Sequence, residues 1–481
     1  MDRPDLPNLT LPQMLRHNAR TIPLRTALRQ KEFGIWKPFS WARYWDRARH
    51  VGLGLRALGL GAGGHVGVLS ENRIEWVLAQ LGAGAVGAVT VGVFPTSPAA
   101  EVAYVLGHAE VEIVVAEDQE QVDKVLERLG ELPRLRRIVA CETKGLRGYD
   151  RDLVVPFAEV ERLGAEEDAR EPELADRILD RQTLGEVGLV VYTSGSTGKP
   201  KGAMITYANI RAEAAAIVER LGFTAETTHL SYLPLCHVAE QMLTTMGPVY
   251  VGALVNFGES IRTVQEDLRE VSPNTFLGVP RIWEKMHSAI TIKILEAGVW
   301  RKALFDRAMA ACGPFADLPR PRWTTTQRLV HGFWHWVVFR ALLNFVGLRR
   351  ARLAYTGAAP ISPLVVRFFR TIGVPLVEVY GQTETSGMVT GQRLETFRPG
   401  TVGEIILDTE FATGAGGELL VRGPTVFAGY YKNEAATSAA LRDGWLHTGD
   451  VVEVGPDGQI RILDRLKDIM ITSGGKNLSP S

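Results

Sequence analysis

Residues 190–206 read VVYTSGSTGKPKGAMIT: two Ser/Thr pairs, three glycines and two lysines directly behind an apolar, β-branched run. A loop of this kind offers uncovered backbone N–H groups, rotatable hydroxyls and ammonium groups, all of which suit a polyphosphate. The NTPase phosphate loop, GxxxxGK followed directly by Ser or Thr, does not fit, because Pro200 follows Lys199. A flexible surface turn has the same composition, so composition alone leaves both readings open. The order of the flanks favours the first. Residues 189–192 read as a buried strand, and Thr206 with Asn209 opens a helix carrying 210–221, so the loop is expected between a strand and a helix.

Outward from that unit, apolar runs alternate with helical periods in the way that builds parallel sheets. Strands are expected at 65–70, 88–94, 111–116 and 137–141, with helices at 73–81 and 119–129. Residues 143–185 are charged and weakly periodic and read as a surface connection. Further strands are expected at 230–235, 253–257, 275–279, 353–356 and 376–380. After Gly400 the character changes to short strands with tight turns: VGEIIL, GELLVRG, and DVVEV-GPDG-QIRIL with its hairpin turn Pro456-Asp457-Gly458. The fold class is α/β. A first α/β subdomain covers 1–180, a second with the phosphate loop covers 181–399, both with mostly parallel sheets, and a small antiparallel barrel or sheet covers 400–463.

Composition bounds the function. The 481 residues are 46% hydrophobic, enough for two or three structural units with real cores. Lysine plus arginine and aspartate plus glutamate both total 54, so no overall positive field draws the chain to nucleic acid, and small molecules are the expected partners. Cys141, Cys236 and Cys312 have no paired spacing and read as core thiols in a reducing compartment. The N-terminus lacks the basic-then-apolar order of a secretory signal, and a cytoplasmic location is expected. No uninterrupted apolar segment reaches the roughly 18 residues that cross a bilayer. The nearest, HGFWHWVVFRALLNFVGL at 331–348, is broken by His335, Arg340 and Asn344. A helix of this kind lies in a membrane interface or, more commonly, covers the core of a large domain, so peripheral contact with the inner membrane face stays open.

Three polar clusters fall at expected strand ends, where open α/β sheets place ligands: TGAAP at 356–360, YGQTETSG at 380–387 and WLHTGD at 445–450. Gly357, Ala358 and Ala359 are small enough for a flat base to approach the backbone, and Tyr380 offers a ring to stack on it. Glu384 is a hard oxygen ligand suited to magnesium, and Asp450 suits two ribose hydroxyls. Each has a plainer reading: a helix-opening turn, a core aromatic, a solvated acid and a turn-former.

Taken together, YTSGSTGKPKGAMIT, YGQTE, GWLHTGD and DRLKDIMITSGGKN resemble, in order and spacing, the acyl-adenylate-forming superfamily of acyl-CoA synthetases, luciferases and peptide-synthetase adenylation domains. The likeness covers nearly all the chain from about residue 40, and VPRIWEKM at 279–286 with SGGKNLSP near the end looks like long-chain fatty acyl-CoA synthetases. The resemblance implies that Thr193, Ser194, Gly195, Ser196, Thr197, Gly198 and Lys199 close over the β- and γ-phosphates of ATP. It implies that Gly357, Ala358, Ala359 and Tyr380, with Gly381 and Gln382 beside it, hold adenine, and that Thr383 touches the α-phosphate. Glu384 with Thr193 would bind Mg2+, and Asp450 and Arg465 the ribose. The implied reaction converts a fatty acid to acyl-AMP, with pyrophosphate released, and then to acyl-CoA. His237 in PLCHVAE matches a family position near the acyl entrance; it reads equally as a helix cap or core residue, or as a group that gates or orients the acyl chain.

The family carries roughly a hundred residues beyond DRLKD as a swinging lid. Here 464–481 would be the hinge, centred on Lys467, and a remnant of that truncated lid, in which Lys476 has no motif marking it as the lid's catalytic lysine. The alternatives are a fatty acyl-AMP ligase serving a carrier protein, a ligase for aryl or sterol acids, and a lid-less, non-catalytic nucleotide or acyl-adenylate binder. A homodimer is also open.

Overall fold

The computed structural model describes residues 8–193 and 198–466, and the backbone pairing of Met470–Ile471 with Asn477–Leu478. It is a mixed α/β fold with parallel sheets and a curled antiparallel unit.

The largest sheet has eight strands, in the order Gly429–Tyr430, Lys201–Thr206, Val187–Thr193, Val89–Val93, His65–Leu69, Val111–Ala116, Arg137–Ala140 and Val154–Pro156. From Val187–Thr193 onward the neighbours are parallel, and HVGVL and VTVGV are buried throughout, as expected of strands covered on both faces. A four-stranded sheet orders Thr228–Ser231, Leu254–Phe257, Thr26–Glu32 and Ile35–Ser40. The five-stranded sheet runs Thr275–Gly278, Leu353–Thr356 and Leu376–Gln382 in parallel, then adds Gly387–Gly391 and Glu404–Ile405 antiparallel. The last unit is antiparallel: Glu410–Thr413, Glu418–Arg422, Trp445–Val454 and Leu441–Arg442, with Ile460–Arg465 on Trp445–Val454. Its core holds Val389, Leu419, Val421, Val452 and Ile460.

Several expectations need correction. The phosphate-type loop that follows Val187–Thr193 does not join a strand to a helix. Lys201–Thr206 is itself a strand, antiparallel to Val187–Thr193, and the helix Tyr207–Leu221 follows it with Thr206 as its cap, bonded reciprocally to Asn209. A division at residue 180 falls across sheet membership, since Val187–Thr193 pairs with Val89–Val93 while Thr26–Glu32 pairs with Leu254–Phe257. The strand expected at 230–235 is Thr228–Ser231, ending before Pro234, which has no N–H to give a ladder. The stretch 143–185 is more than a connection: Phe157–Arg170 is a helix packed on Trp41–Ala57, with Phe157, Val160 and Gly164 buried at helical spacing.

The aromatic segment is one long helix that packs on the core by one face. Among the described residues one helix, Thr325–Val346, is long and apolar enough to cross a membrane by length and composition, yet only 28% of its most apolar window is buried. Its inner face, with Phe339, Leu342, Leu343 and Val346 buried in the main core, covers that core, and its outer face is left exposed.

Candidate active site

The parallel strands Leu353–Thr356 and Leu376–Gln382 lie side by side, Thr356 opposite Glu378, so TGAAP and YGQTE emerge at the same sheet edge. Side-chain volume is excluded there. A Cβ on Gly357 would stand 2.8 Å from the Val379 carbonyl oxygen, and one on Gly381 1.9 Å from that of Gly387. Ala358 holds a left-handed φ of 67°, which turns the chain straight after the strand. Beyond Gln382 the 3-10 turn Thr383–Thr385 reverses the chain into Gly387–Gly391, with Thr383 buried and Glu384 half-buried.

The antiparallel unit supplies the opposite wall. Its hairpin register places Asp450 directly across from Arg465, and Arg465 Nε lies 2.8 Å from Asp450 Oδ1. The second Asp450 oxygen accepts from the Tyr380 hydroxyl at 2.5 Å. Three residues from three separate motifs thus meet at one carboxylate. Burial holds the Asp450 carboxyl above its ordinary pKa, while the Tyr380 bond and the Arg465 charge pull it down and the Glu384 charge pushes it up. Burial and the neighbouring Asp450 push the Tyr380 phenol well above its usual value, so it stays a donor.

Glu384 Oε1 accepts from the Tyr430 hydroxyl at 2.5 Å. Tyr430 sits on the short edge strand paired with Lys201–Thr206, and Lys201 Nζ lies 5.1 Å from the centre of its ring. Burial, with Glu384 beside it, raises the Tyr430 phenol pKa, which keeps it a donor. Lys199 lies 4.9 Å from the Tyr104 ring, whose hydroxyl donates to the Pro200 carbonyl. The fold therefore carries Glu384 toward the strand that leaves the phosphate-type loop. Ser194, Gly195, Ser196 and Thr197, and the hinge residue Lys467, lie outside the described residues; so does Lys476. Thr193 is half-buried at the end of its strand opposite Lys201, and Gly198 and Lys199 are exposed.

His237 caps the helix Val238–Gln241, its Nδ1 accepting from the Ala239 N–H at 3.1 Å, and burial lowers its pKa, so it is neutral at pH 7. Sequence reasoning missed Tyr430, Lys201 and Glu418. Glu418 holds the HTGD turn by accepting from the Gly449 N–H and bonding His447 Nδ1, both at 2.9 Å. Among the described residues no group of three or more His, Cys, Asp or Glu side chains stands ready to hold a metal. A lone carboxylate nevertheless fits magnesium, which commonly takes one or two carboxylates together with substrate phosphates. A cavity of about 310 Å3 lies elsewhere, among Glu71, Arg73, Glu117, Glu142 and Asp267, and its charged lining does not suit a hydrocarbon chain.

Parallel sheets ending in a cramped glycine-lined edge that carries the Tyr380 phenol, faced by the Asp450 carboxylate and Arg465 guanidinium of an antiparallel unit, are the arrangement expected of an enzyme of the adenylate-forming class. The chain belongs to the AMP-binding enzyme family, whose model matches residues 15–431. Its homologues are long-chain-fatty-acid–CoA ligases. It is 31% identical to ACSBG2 of Xenopus laevis over 100% of this chain and 66% of that protein. To FadD15 of Mycobacterium bovis it is 34% identical, over 93% of this chain and 73% of that protein. The chain thus spans about two thirds to three quarters of the length of these relatives. Among solved structures it resembles the anthranilate CoA ligase AuaEII in complex with anthranoyl-AMP, with TM-score 0.76, 21% identity, and 100% of this chain and 81% of that one covered. A Mycobacterium tuberculosis fatty acyl CoA synthetase matches with TM-score 0.71 and 21% identity over 98% of this chain and 81% of that one. At such identity the likeness is one of fold.

Proposed function

We propose that the protein activates a fatty acid with ATP, forming acyl-AMP and pyrophosphate, and then passes the acyl group to the thiol of CoA. The observation that carries this reading is the meeting of Tyr380, Arg465 and Asp450 on one carboxylate, with Glu384 close enough to perturb it. A carboxylate has about four acceptor positions, so Asp450 can keep its two protein partners and still receive two ribose hydroxyls. Gly357, Ala358 and Ala359 leave room for adenine against the Tyr380 ring, with Gly381 and Gln382 continuing that edge, and Thr383 faces the α-phosphate. Thr193, Gly198 and Lys199 hold the outer phosphates.

Mg2+, held by Glu384 with Thr193, would neutralise triphosphate charge. The chain's own residues do the rest by position. A carboxylate is a poor electrophile because its charge is delocalised and oxide cannot leave. One of its oxygens attacks the α-phosphorus in line, pyrophosphate departs, and the resulting mixed anhydride is open to a thiol. No enzyme nucleophile is needed; orientation and charge neutralisation suffice. His237, neutral and fixed as a cap, presents a ring beside the acyl entrance in this reading. The free thiols Cys141, Cys236 and Cys312 support a reducing, cytoplasmic setting.

The test is pyrophosphate release across a panel of carboxylic acids, followed by product analysis with and without CoA. Medium- and long-chain fatty acids should stimulate release, and CoA should convert acyl-AMP to acyl-CoA. Aryl or sterol acids consumed while fatty acids are ignored would overturn the substrate class. Acyl-AMP that accumulates untouched by CoA would transfer the protein to the carrier-linked ligases, and nucleotide binding with no acid-dependent turnover would make it a binding protein.

A further inference from the structure

The helix Thr325–Val346 has two unlike faces. Phe339, Leu342, Leu343 and Val346 are buried, and His331 packs its ring between Trp323 and Phe339. On the other face Leu329, Phe333, Trp336 and Val337 are 70%, 60%, 69% and 45% exposed, and their spacing of four, three and one places them in a single stripe. The helix Val299–Cys312 packs against the same helix and opens with Val299 and Trp300 exposed at 83% and 89%. Scattered exposed apolar residues are ordinary, whereas a stripe with a further aromatic on an adjoining helix marks a surface that meets something apolar.

Charge identifies the occupant. Between residues 280 and 352 there are thirteen lysines and arginines against four aspartates and glutamates, in a chain whose charges balance to zero overall. Arg340, at the end of the stripe, lays its guanidinium 4.6 Å from the centre of the Trp336 ring, and Arg349 and Arg350 are exposed just beyond the helix. A second copy of this face would bring two cationic segments together. An anionic lipid surface offers hydrocarbon for the stripe and negative headgroups for its surround, and tryptophan and arginine are the side chains that settle at such a boundary. Phe339, Leu342, Leu343 and Val346 commit one face of the helix to the protein core, which suits an interfacial position and not a spanning one.

We propose that the face formed by Thr325–Val346 and the start of Val299–Cys312 docks on anionic bilayers, with Leu329, Phe333, Trp336 and Val337 inserted at headgroup depth. The inference stands apart from the acyl reading and is tested without ATP or acid. Flotation with vesicles of phosphatidylcholine alone and of phosphatidylcholine mixed with phosphatidylglycerol should show binding to the mixed vesicles that weakens with salt. A Phe333→Glu/Trp336→Glu double variant should lose at least about tenfold in vesicle binding, because each change puts a charge where hydrocarbon is needed. Arg349→Glu/Arg350→Glu should weaken binding to the mixed vesicles as well. Leu24→Glu, at an apolar residue 91% exposed elsewhere, should bind like the parent. No binding to mixed vesicles overturns the proposal, as does binding that ignores both lipid charge and salt. Self-association in sedimentation that the Phe333/Trp336 variant abolishes, without vesicle binding by the parent, would assign the face to a second copy instead.

Discussion

Replacing Asp450 separates what the carboxylate does for the fold from what it does for the nucleotide. Asp450→Ala removes the acceptor of the Tyr380 hydroxyl at 2.5 Å and the partner of Arg465 at 2.8 Å. The Arg465 side chain is 60% exposed, so losing that pair costs stability no more than about 1 kcal/mol. The Tyr380 hydroxyl, half-buried and left without its acceptor, costs about 1–2 kcal/mol, the lower part of the range for a stranded polar group. Nucleotide binding suffers more, because the ribose hydroxyls lose a charged acceptor: roughly 1.5–3 kcal/mol, or about 10- to 150-fold in Kd. Asp450→Asn keeps a carbonyl oxygen for Tyr380 and should recover most of the stability while still binding ATP weakly. Urea unfolding and calorimetric titration of ATP at fixed magnesium measure the two effects separately. Parent-like ATP affinity in Asp450→Ala would remove the residue from the ribose site, and equal destabilisation by Asn and Ala would refute the role given to the Tyr380 bond.

Glu384→Gln keeps the acceptor for Tyr430 but removes a negative charge, so the adenylation rate should fall and its magnesium dependence shift to higher concentration while ATP affinity measured without magnesium changes little; rate titrations against magnesium check this. Gly381→Ala forces a Cβ to within 1.9 Å of the Gly387 carbonyl oxygen, so the hairpin that presents Thr383 and Glu384 must shift; destabilisation at or above the ~1–3 kcal/mol usual for overpacking is expected in urea unfolding. Burial raises the Glu378 carboxyl from 4.5 to about 7, so the folded protein holds a proton that the unfolded chain releases. That contribution is fully present below about pH 4.5 and is lost as pH rises through about 7, and Tm measured against pH should fall less steeply over this window in Glu378→Gln than in the parent.

The parts legible in the sequence are those whose physics is local. Val111–Ala116 and Leu353–Thr356 stand where their apolar runs place them, because a strand covered largely on both faces needs a mostly apolar run and little else. Lys201–Thr206 was illegible: its lysine and glycine read as loop, and its strand state comes from pairing with Val187–Thr193. Phe157–Arg170 hides a narrow buried stripe among charged residues, and only the helix Trp41–Ala57 reveals which face is inside. Asp450, Arg465 and Tyr380 could each be singled out by motif, yet their convergence depends on hairpin register and on a contact across seventy residues. Tyr430 carries no local signature, since its approach to Glu384 follows from an edge strand docking on Lys201–Thr206. The apolar character of 331–348 was plain, but which of its faces is covered is settled by Trp323 and the helices around it.

The central claim is that chemistry occurs at the α-phosphorus of ATP and depends on a fatty acid. The most direct measurement follows ATP labelled at the α- or the γ-phosphate in a single turnover with a long-chain fatty acid. The account predicts α-label in acyl-AMP, then in AMP once CoA is added, with γ-label leaving in pyrophosphate, and no turnover without the acid. Formation of ADP with γ-label in inorganic phosphate or an acyl phosphate, or pyrophosphate release indifferent to the acid, would contradict it.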